Sequence, residues 1–156
     1  MSSTIKANSV LSKLLASNGF LIATLGAESR RRFMHTVSQW EVGWSEQSVL
    51  TALLDLSGSS PITQKQVADF VNVDPRNLVS VIDSLQKRNL AERTPHPDDR
   101  RSYHLRLTEA GASLAHKLRA ESIKLEDDMF GSLSGDERAT LNQLLVKLYK
   151  STEEQS

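Results

Sequence analysis

The stretch RTPHPDDRRSYHLRLTEAG, residues 93 to 111, gathers the side chains best suited to chemistry in this chain. His96, Asp98, Asp99 and His104 are all possible metal ligands, but a metal centre wants at least three preorganised donors with partners behind them. His104 falls on the return strand, beyond a turn from the others, and an isolated loop histidine is by default solvated. The same loop carries Arg100 and Arg101 directly after the two acids. An arginine on a stiff loop suits a different task, insertion into a narrow, negative minor groove of DNA, where a neighbouring carboxylate can orient the guanidinium. A third reading is that these four charges only pair with one another on a solvated turn, worth ~0 to 1 kcal/mol.

Catalysis finds little support elsewhere. The chain has no cysteine, which removes disulfides, zinc–thiolate sites, thiol nucleophiles and thiol redox sensing. No nucleophile elbow, H-E-x-x-H pair or phosphate-cradling glycine loop occurs. We therefore expect no enzyme, no metal and no cofactor.

The 156 residues suit one domain with helical extensions, and a hydrophobic content of 38% with only 5% aromatics suits a helical core of Leu, Ile, Val and Ala. Nineteen basic residues balance nineteen acids, so coating nucleic acid by net charge alone is disfavoured. The charge is uneven, however. From Lys87 to Arg106 six bases face three acids, whereas from Glu109 to the end nine acids face six bases. The longest N-terminal apolar run, GFLIA at 19 to 23, is far shorter than the ~20 residues of a membrane span. The arginine cluster Arg30, Arg31, Arg32 follows that run instead of preceding it, unlike a signal peptide. A cytoplasmic protein without membrane attachment is expected.

The elements that position the loop follow from periodicity and punctuation. Apolar residues from Val10 to Leu25 recur at helical spacing and predict one long helix over 8–37. At ~45 Å such a helix outreaches a domain of this size, so part of its stripe is expected to meet another chain. A break at Gly43 and a cap at Ser45 open a second helix, with Trp44 and Val49 as its hydrophobic staple and Gly58 as its stop. Thr63 and Gln66 form a T-x-x-Q capping box with Ile62 and Val67 as staple. Asp74 then caps another helix with Pro75 in first position, and Val73 with Leu78 forms its staple. Two short helices this close in sequence make a helix-turn-helix. On the second, Leu78, Val81, Ile82 and Leu85 share one face, and Arg76, Ser80, Asp83 and Lys87 the opposite one, with Asn77 and Ser84 beside it. Arg76, Asn77 and Ser80 are types that bond base edges or phosphates. LAERTP and SYHLRLT then read as two strands around the loop, and the order helix, helix, hairpin is that of a winged helix. Thr108 caps a long helix to about Gly131, and an S-x-x-E box from Ser134 to Glu137 opens the last one.

The core from Ile62 to Gly111 resembles the winged helix-turn-helix of the MarR (multiple antibiotic resistance regulator) family. The most specific part is the wing motif D-x-R followed by an alternating strand and L-T-x-x-G, here Asp99, Arg100, Arg101 and then Leu107, Thr108, Glu109, Ala110, Gly111. The resemblance implies a mainly α fold with a small β-hairpin wing. A winged helix-turn-helix core over 45–108 would be flanked by dimerisation helices over 8–37 and 109–152, the whole of 1–156 forming one MarR-like domain. It implies a homodimer on a pseudo-palindromic operator in double-stranded DNA, acting as a repressor that a small molecule releases. By position, Arg101 is the minor-groove residue, Asp99 its support, and Arg76, Asn77 and Ser80 the major-groove readers, with Lys87 and Arg100 adding basic contacts. Ser80 and Ser84 depart from the family's frequent longer basic residues, so the operator cannot be deduced. Asp83 also faces outward, toward phosphates if the helix docks deeply, and is otherwise expected to pair with Lys87 one turn on or to orient Arg76 or another donor.

Relatives often hold small aromatic or anionic effectors between the dimerisation helices and the winged helix. The positions near that cleft are Arg31, Arg32, His35, Trp40 and Trp44, which could hold an aromatic carboxylate or phenol by charge-assisted hydrogen bonds and stacking. The plainer reading has Trp44 stapling its helix, Trp40 filling a gap and the arginines solvated. The alternative function is a winged helix that contacts protein without specific DNA binding, although such a helix would be expected to present an apolar or acidic patch.

Overall fold

The computed structural model describes residues 12–56, 62–71, 75–95 and 103–153. The chain divides into two compact units, 1–122 and 123–156. Helix α1 (Asn18–Val37) leads through a 3-10 turn (Ser38–Trp40) to α2 (Trp44–Leu56), and the short strand β1 (Ile62–Thr63) runs directly into α3 (Gln64–Val71). Helix α4 (Pro75–Lys87), strands β2 (Ala91–Pro95) and β3 (Tyr103–Leu107), and helices α5 (Glu109–Met129) and α6 (Gly135–Glu153) follow.

The first helix is shorter than its periodicity predicts. Residues 12–15 make a separate helical turn, and Ser17 then takes an extended conformation and accepts the Phe20 amide through its side chain at 3.3 Å, starting α1 afresh. A serine hydroxyl competing for the backbone in this way is what makes it an N-cap. Residues 8–11 lie outside the described residues.

Helix α2 is capped differently from the expectation. Gly43 is its cap, with its carbonyl accepting from Gln47 N at 3.0 Å, while the Glu46 carboxylate reaches back to the Gly43 amide at 2.9 Å. Ser45 lies within the first turn and Trp44 is the first helical residue, so the apolar residue ahead of the cap is Val42, which is buried. A Glu at the third helical position is the half of a capping box that satisfies the cap amide. The predicted Gly58 stop, the Asp74 cap and the Val73 staple lie outside the described residues.

The hairpin is part of a three-stranded sheet of order β1-β3-β2. Strand β3 lies in the middle, pairing Leu105 with Ile62 on one side and with Arg93 on the other, both antiparallel. The expected Thr63–Gln66 box is present: the Thr63 amide donates to Gln66 Oε1 at 2.8 Å and the Gln66 amide to Thr63 Oγ1 at 3.2 Å. Its two bonds fix the corner where β1 becomes α3.

The core of the first unit lies where α2 packs against α3, α4 and β3. Leu50, Leu53, Val67, Leu78, Ile82 and Leu105 are among its fully buried members, each contributing roughly 1.5–3 kcal/mol. In the second unit the Ser134–Glu137 box forms as expected, with Ser134 N to Glu137 Oε2 at 2.8 Å and Glu137 N to Ser134 Oγ at 3.3 Å. Hydrogen bonding from Ser134 to the Glu137 carboxyl, from its backbone amide most strongly and then from its side chain, holds that carboxyl below its usual range. Arg138 closes the end of α5, donating to the Phe130 carbonyl at 3.0 Å and pairing with Asp127 at 3.1 Å. A cation there suits the negative end of the helix dipole.

Candidate nucleic-acid interface

Helix α4 turns Leu78, Ile82 and Leu85 into the core and leaves Arg76, Asn77, Ser80 and Lys87 exposed. The 3.6-residue period therefore sorts the helix as its sequence predicts. The Ser80 hydroxyl donates to the Asn77 carbonyl at 2.8 Å, which leaves its lone pairs to accept from outside. Beside these residues Asp83 pairs with another donor, Arg93 of β2, Nη1 to Oδ1 at 2.7 Å, and not with Lys87. Arg93 Nη2 also reaches the Val79 carbonyl at 3.4 Å. The arginine thus ties the first wing strand to the middle of α4, and most of it is buried under that contact. Nothing local in the sequence marks this pair, since the partners stand on different elements.

Ser84 leaves the outward face altogether. Its hydroxyl donates to Glu46 Oε1 at 2.6 Å, while Glu46 Oε2 takes both the Gly43 amide and Arg88 Nη1, the latter at 3.3 Å. Arg88 in turn donates to the Trp40 carbonyl at 2.8 Å and the Glu41 carbonyl at 3.0 Å. Glu41 has φ 53, a left-handed turn that presents its carbonyl to the guanidinium. With its side chain only 14% exposed, Glu46 joins the start of α2, the end of α4 and the turn after α1. Charge-assisted bonds of this kind are shorter and stronger than neutral ones, so α4 is held at both its middle and its end.

The wing returns to the body through Thr108. Its hydroxyl donates to the Asn89 carbonyl at 2.7 Å and accepts the Gly111 amide at 3.0 Å, capping α5. Across the wing strands Arg106 and Glu92 stand opposite each other and pair at 2.6 Å on the exposed face. Asp99, Arg100 and Arg101 lie outside the described residues, as do His96 and Asp98. His104 sits in the central strand, opposite Thr63 and Thr94. Among the described residues no group of three His, Asp or Glu could hold a metal ion.

The MarR family model matches residues 46–103, which span α2 to the first residue of β3. The HTH-type transcriptional regulator YhbI of Bacillus subtilis, itself uncharacterised, is 30% identical over 107 residues, 69% of this chain and 68% of its own length. The chain belongs to the MarR family. A proposed transcriptional regulatory protein for the hcr operon of Thauera aromatica is 29% identical over 156 residues, covering 95% of this chain and 91% of that protein. Among solved structures, a mutant of Escherichia coli MarR complexed with operator DNA matches with a TM-score of 0.73 at 26% identity, over 83% of this chain and 91% of that one. The fold is thus one that, in that Escherichia coli protein, occurs in complex with operator DNA.

The residues expected to line an effector cleft are not all brought together. Arg31 and Arg32 both bond Glu28, at 2.8 and 2.6 Å, and hold its carboxyl at about 2, the Arg31 hydrogen bond being the larger cause. His35 is exposed in the last turn of α1. Trp44 instead meets two residues one turn apart on α1. Phe33 packs edge-on with ring centroids 6.2 Å apart, and the Arg30 guanidinium lies 5.0 Å from the indole centroid. Arg30, not Arg31 or Arg32, is the cation on the aromatic surface, because 30, 33 and 37 share one face of the helix. Trp40 contributes its carbonyl to Arg88 and is half-buried. Among the described residues no helix is long and apolar enough to cross a membrane.

Proposed function

We propose that this protein is a dimeric, sequence-specific DNA-binding transcriptional regulator that acts by binding and not by catalysis, in the cytoplasm. The observation that carries the reading is the exposure of Arg76, Asn77 and Ser80 on one side of α4 while Glu46 and Arg93 anchor its other sides. A helix fixed in this way presents donors and acceptors at the spacing needed to read a major groove. Arg101, supported by Asp99, would enter the adjacent minor groove, with Arg100 and Lys87 adding phosphate contacts.

The dimer reading is supported by apolar residues that one chain leaves exposed. Phe20, Ile22 and Leu25 stand on α1, and Leu144, Leu148 and Tyr149 on α6. Apolar side chains grouped on such helices mark a protein–protein surface. Two copies would set their recognition helices one DNA turn apart, about 34–36 Å. An aromatic or anionic effector that prefers a mismatched spacing would release the operator, and only by as much as its affinity for the two states differs. Of the residues named for that role, Trp44 with the neighbouring Arg30 and Phe33 offers the chemistry best suited to a planar anion.

The test is selection of genomic fragments by the purified protein at about physiological salt, where non-specific binding is weak. The expected result is an inverted repeat with half-site centres about 10 base pairs apart. Absence of enrichment at both physiological and low salt would overturn the reading in favour of a winged helix that contacts protein.

A further inference from the structure

Val79 is a β-branched apolar residue on the recognition helix, and it is 40% exposed. It is not among the buried core residues, and at an exposed helical position valine is a poorer helix former than alanine. Its setting is polar and specific. Arg76 stands three residues before it, Ser80 directly after it and Asp83 one turn on, all on the side of α4 that leaves the core. Arg93 fixes its position, bonding the Val79 carbonyl with one nitrogen and Asp83 with another. The same contact offsets the Asp83 charge, which would otherwise repel DNA from this part of the helix.

We infer that Val79 is a base-reading residue that selects thymine by packing its methyl groups against the C5 methyl in the major groove. Thymine alone among the DNA bases presents a methyl there, and small apolar side chains are the groups that read it. The preference complements the readers beside it, because Arg76 and Asn77 supply hydrogen bonds that select guanine or adenine, whereas Val79 can reject a base only by lost apolar contact. This inference rests on the DNA-binding reading above.

The experiment replaces each thymine of the selected half-site, one at a time, with deoxyuridine, which lacks only the C5 methyl. Wild-type protein should lose about fourfold in affinity at one position, the equivalent of ~0.8 kcal/mol for one buried methyl-sized group. Val79→Ala, which alters the contact in both half-sites of the dimer's operator, should bind the thymine operator about sixteenfold more weakly, about fourfold per half-site, and show no further loss with uracil at that position, since both deletions remove the same contact. Alanine improves helix propensity at this exposed site, so the variant is expected to fold. If every uracil substitution is neutral, or if Val79→Ala keeps the wild-type uracil penalty, the inference fails while specific DNA binding stands. If no operator is selected at all, the DNA-binding reading fails and this inference with it.

Discussion

Gly111 lies so close to the Leu90 carbonyl that a Cβ built on it would overlap the carbonyl oxygen and carbon. The contact explains the glycine of the L-T-x-x-G motif in physical terms. Thr108 bonds the Asn89 carbonyl and caps α5, and its own amide donates to the Leu90 carbonyl at 3.2 Å. The first turn of α5 is thereby pressed onto the segment between α4 and β2, with room there for a hydrogen atom only. Asn89 accommodates this with φ 55, a left-handed conformation that asparagine tolerates better than most residues.

Gly111→Ala is accordingly expected to destabilise the protein by about 3 kcal/mol or more, because the obstacle is backbone and cannot rotate away. The sign is diagnostic. At an unobstructed helical position the same change would stabilise by up to ~1 kcal/mol through helix propensity. Urea unfolding of the two proteins, compared at equal m-values, separates the two outcomes, and a stabilised variant would show that the close approach is not maintained in solution.

The Glu46 cluster calls for a double-mutant cycle. Glu46→Ala removes the bond to the α2 cap, the bond from Ser84 and the pair with Arg88, and should cost about 2–3 kcal/mol, as expected for hydrogen bonds to a charged, mostly buried group. Arg88 keeps its two carbonyl partners, so its charge is not left orphaned. Ser84→Ala alone should cost about 1 kcal/mol. The double variant should fall short of the sum by at least ~0.5 kcal/mol. Strict additivity would mean that Ser84 and Glu46 are not energetically joined.

How much of this was legible in the sequence divides by range. The Thr63–Gln66 and Ser134–Glu137 boxes and the Thr108 cap are bonds between residues three apart, and their residue types announce them. The faces of α4 followed from periodicity for the same reason. The break at Ser17 was written in the string Ser17, Asn18, Gly19, a cap with weak helix formers after it, but the apolar period running through it was the stronger signal and was misleading. At α2 the glycine followed three residues later by Glu46 was the true box, while Ser45 is the commoner capping type. Strand β1 has only two residues and owes its existence to Leu105 and His104, some forty positions away. Ser84 with Glu46, Arg93 with Asp83, and Arg30 with Trp44 are likewise tertiary partnerships that no local spacing encodes.

The ion cluster on α1 predicts an acid-side effect. Hydrogen bonds from Arg31 and then Arg32 lower the Glu28 carboxyl from 4.5 to about 2. A depressed carboxylate contributes stability that is present above its unfolded pKa and lost as pH falls through the folded one. The Glu28 contribution should therefore be complete above about pH 4.5 and decline toward pH 2. The difference in urea midpoint between wild type and Glu28→Gln, followed over that range, should narrow as the pH is lowered. Because the cluster is exposed, added salt should also narrow it at neutral pH. A difference independent of both would place the effect of the substitution in helix propensity and not in the ion pairs.

Arg76 separates reading from mere attraction. It is exposed in the first turn of α4, where a recognition helix meets base edges, and a guanidinium there can bond guanine through two acceptors or a phosphate as a charge. If it reads a base, Arg76→Ala should cost about 1–3 kcal/mol on the preferred operator and relax the preference at one position of each half-site. If it meets a phosphate, affinity should fall about equally on all sequences and the salt slope should drop by about 1. Asn77 and Ser80 are uncharged and contribute nothing to counterion release, so their alanine variants should leave the salt slope unchanged whichever base they touch. Binding isotherms at several salt concentrations, on the selected operator and on each single-base variant, distinguish these cases, and a change in the slope for Asn77→Ala would show that the helix docks in a different orientation from the one its exposed face implies.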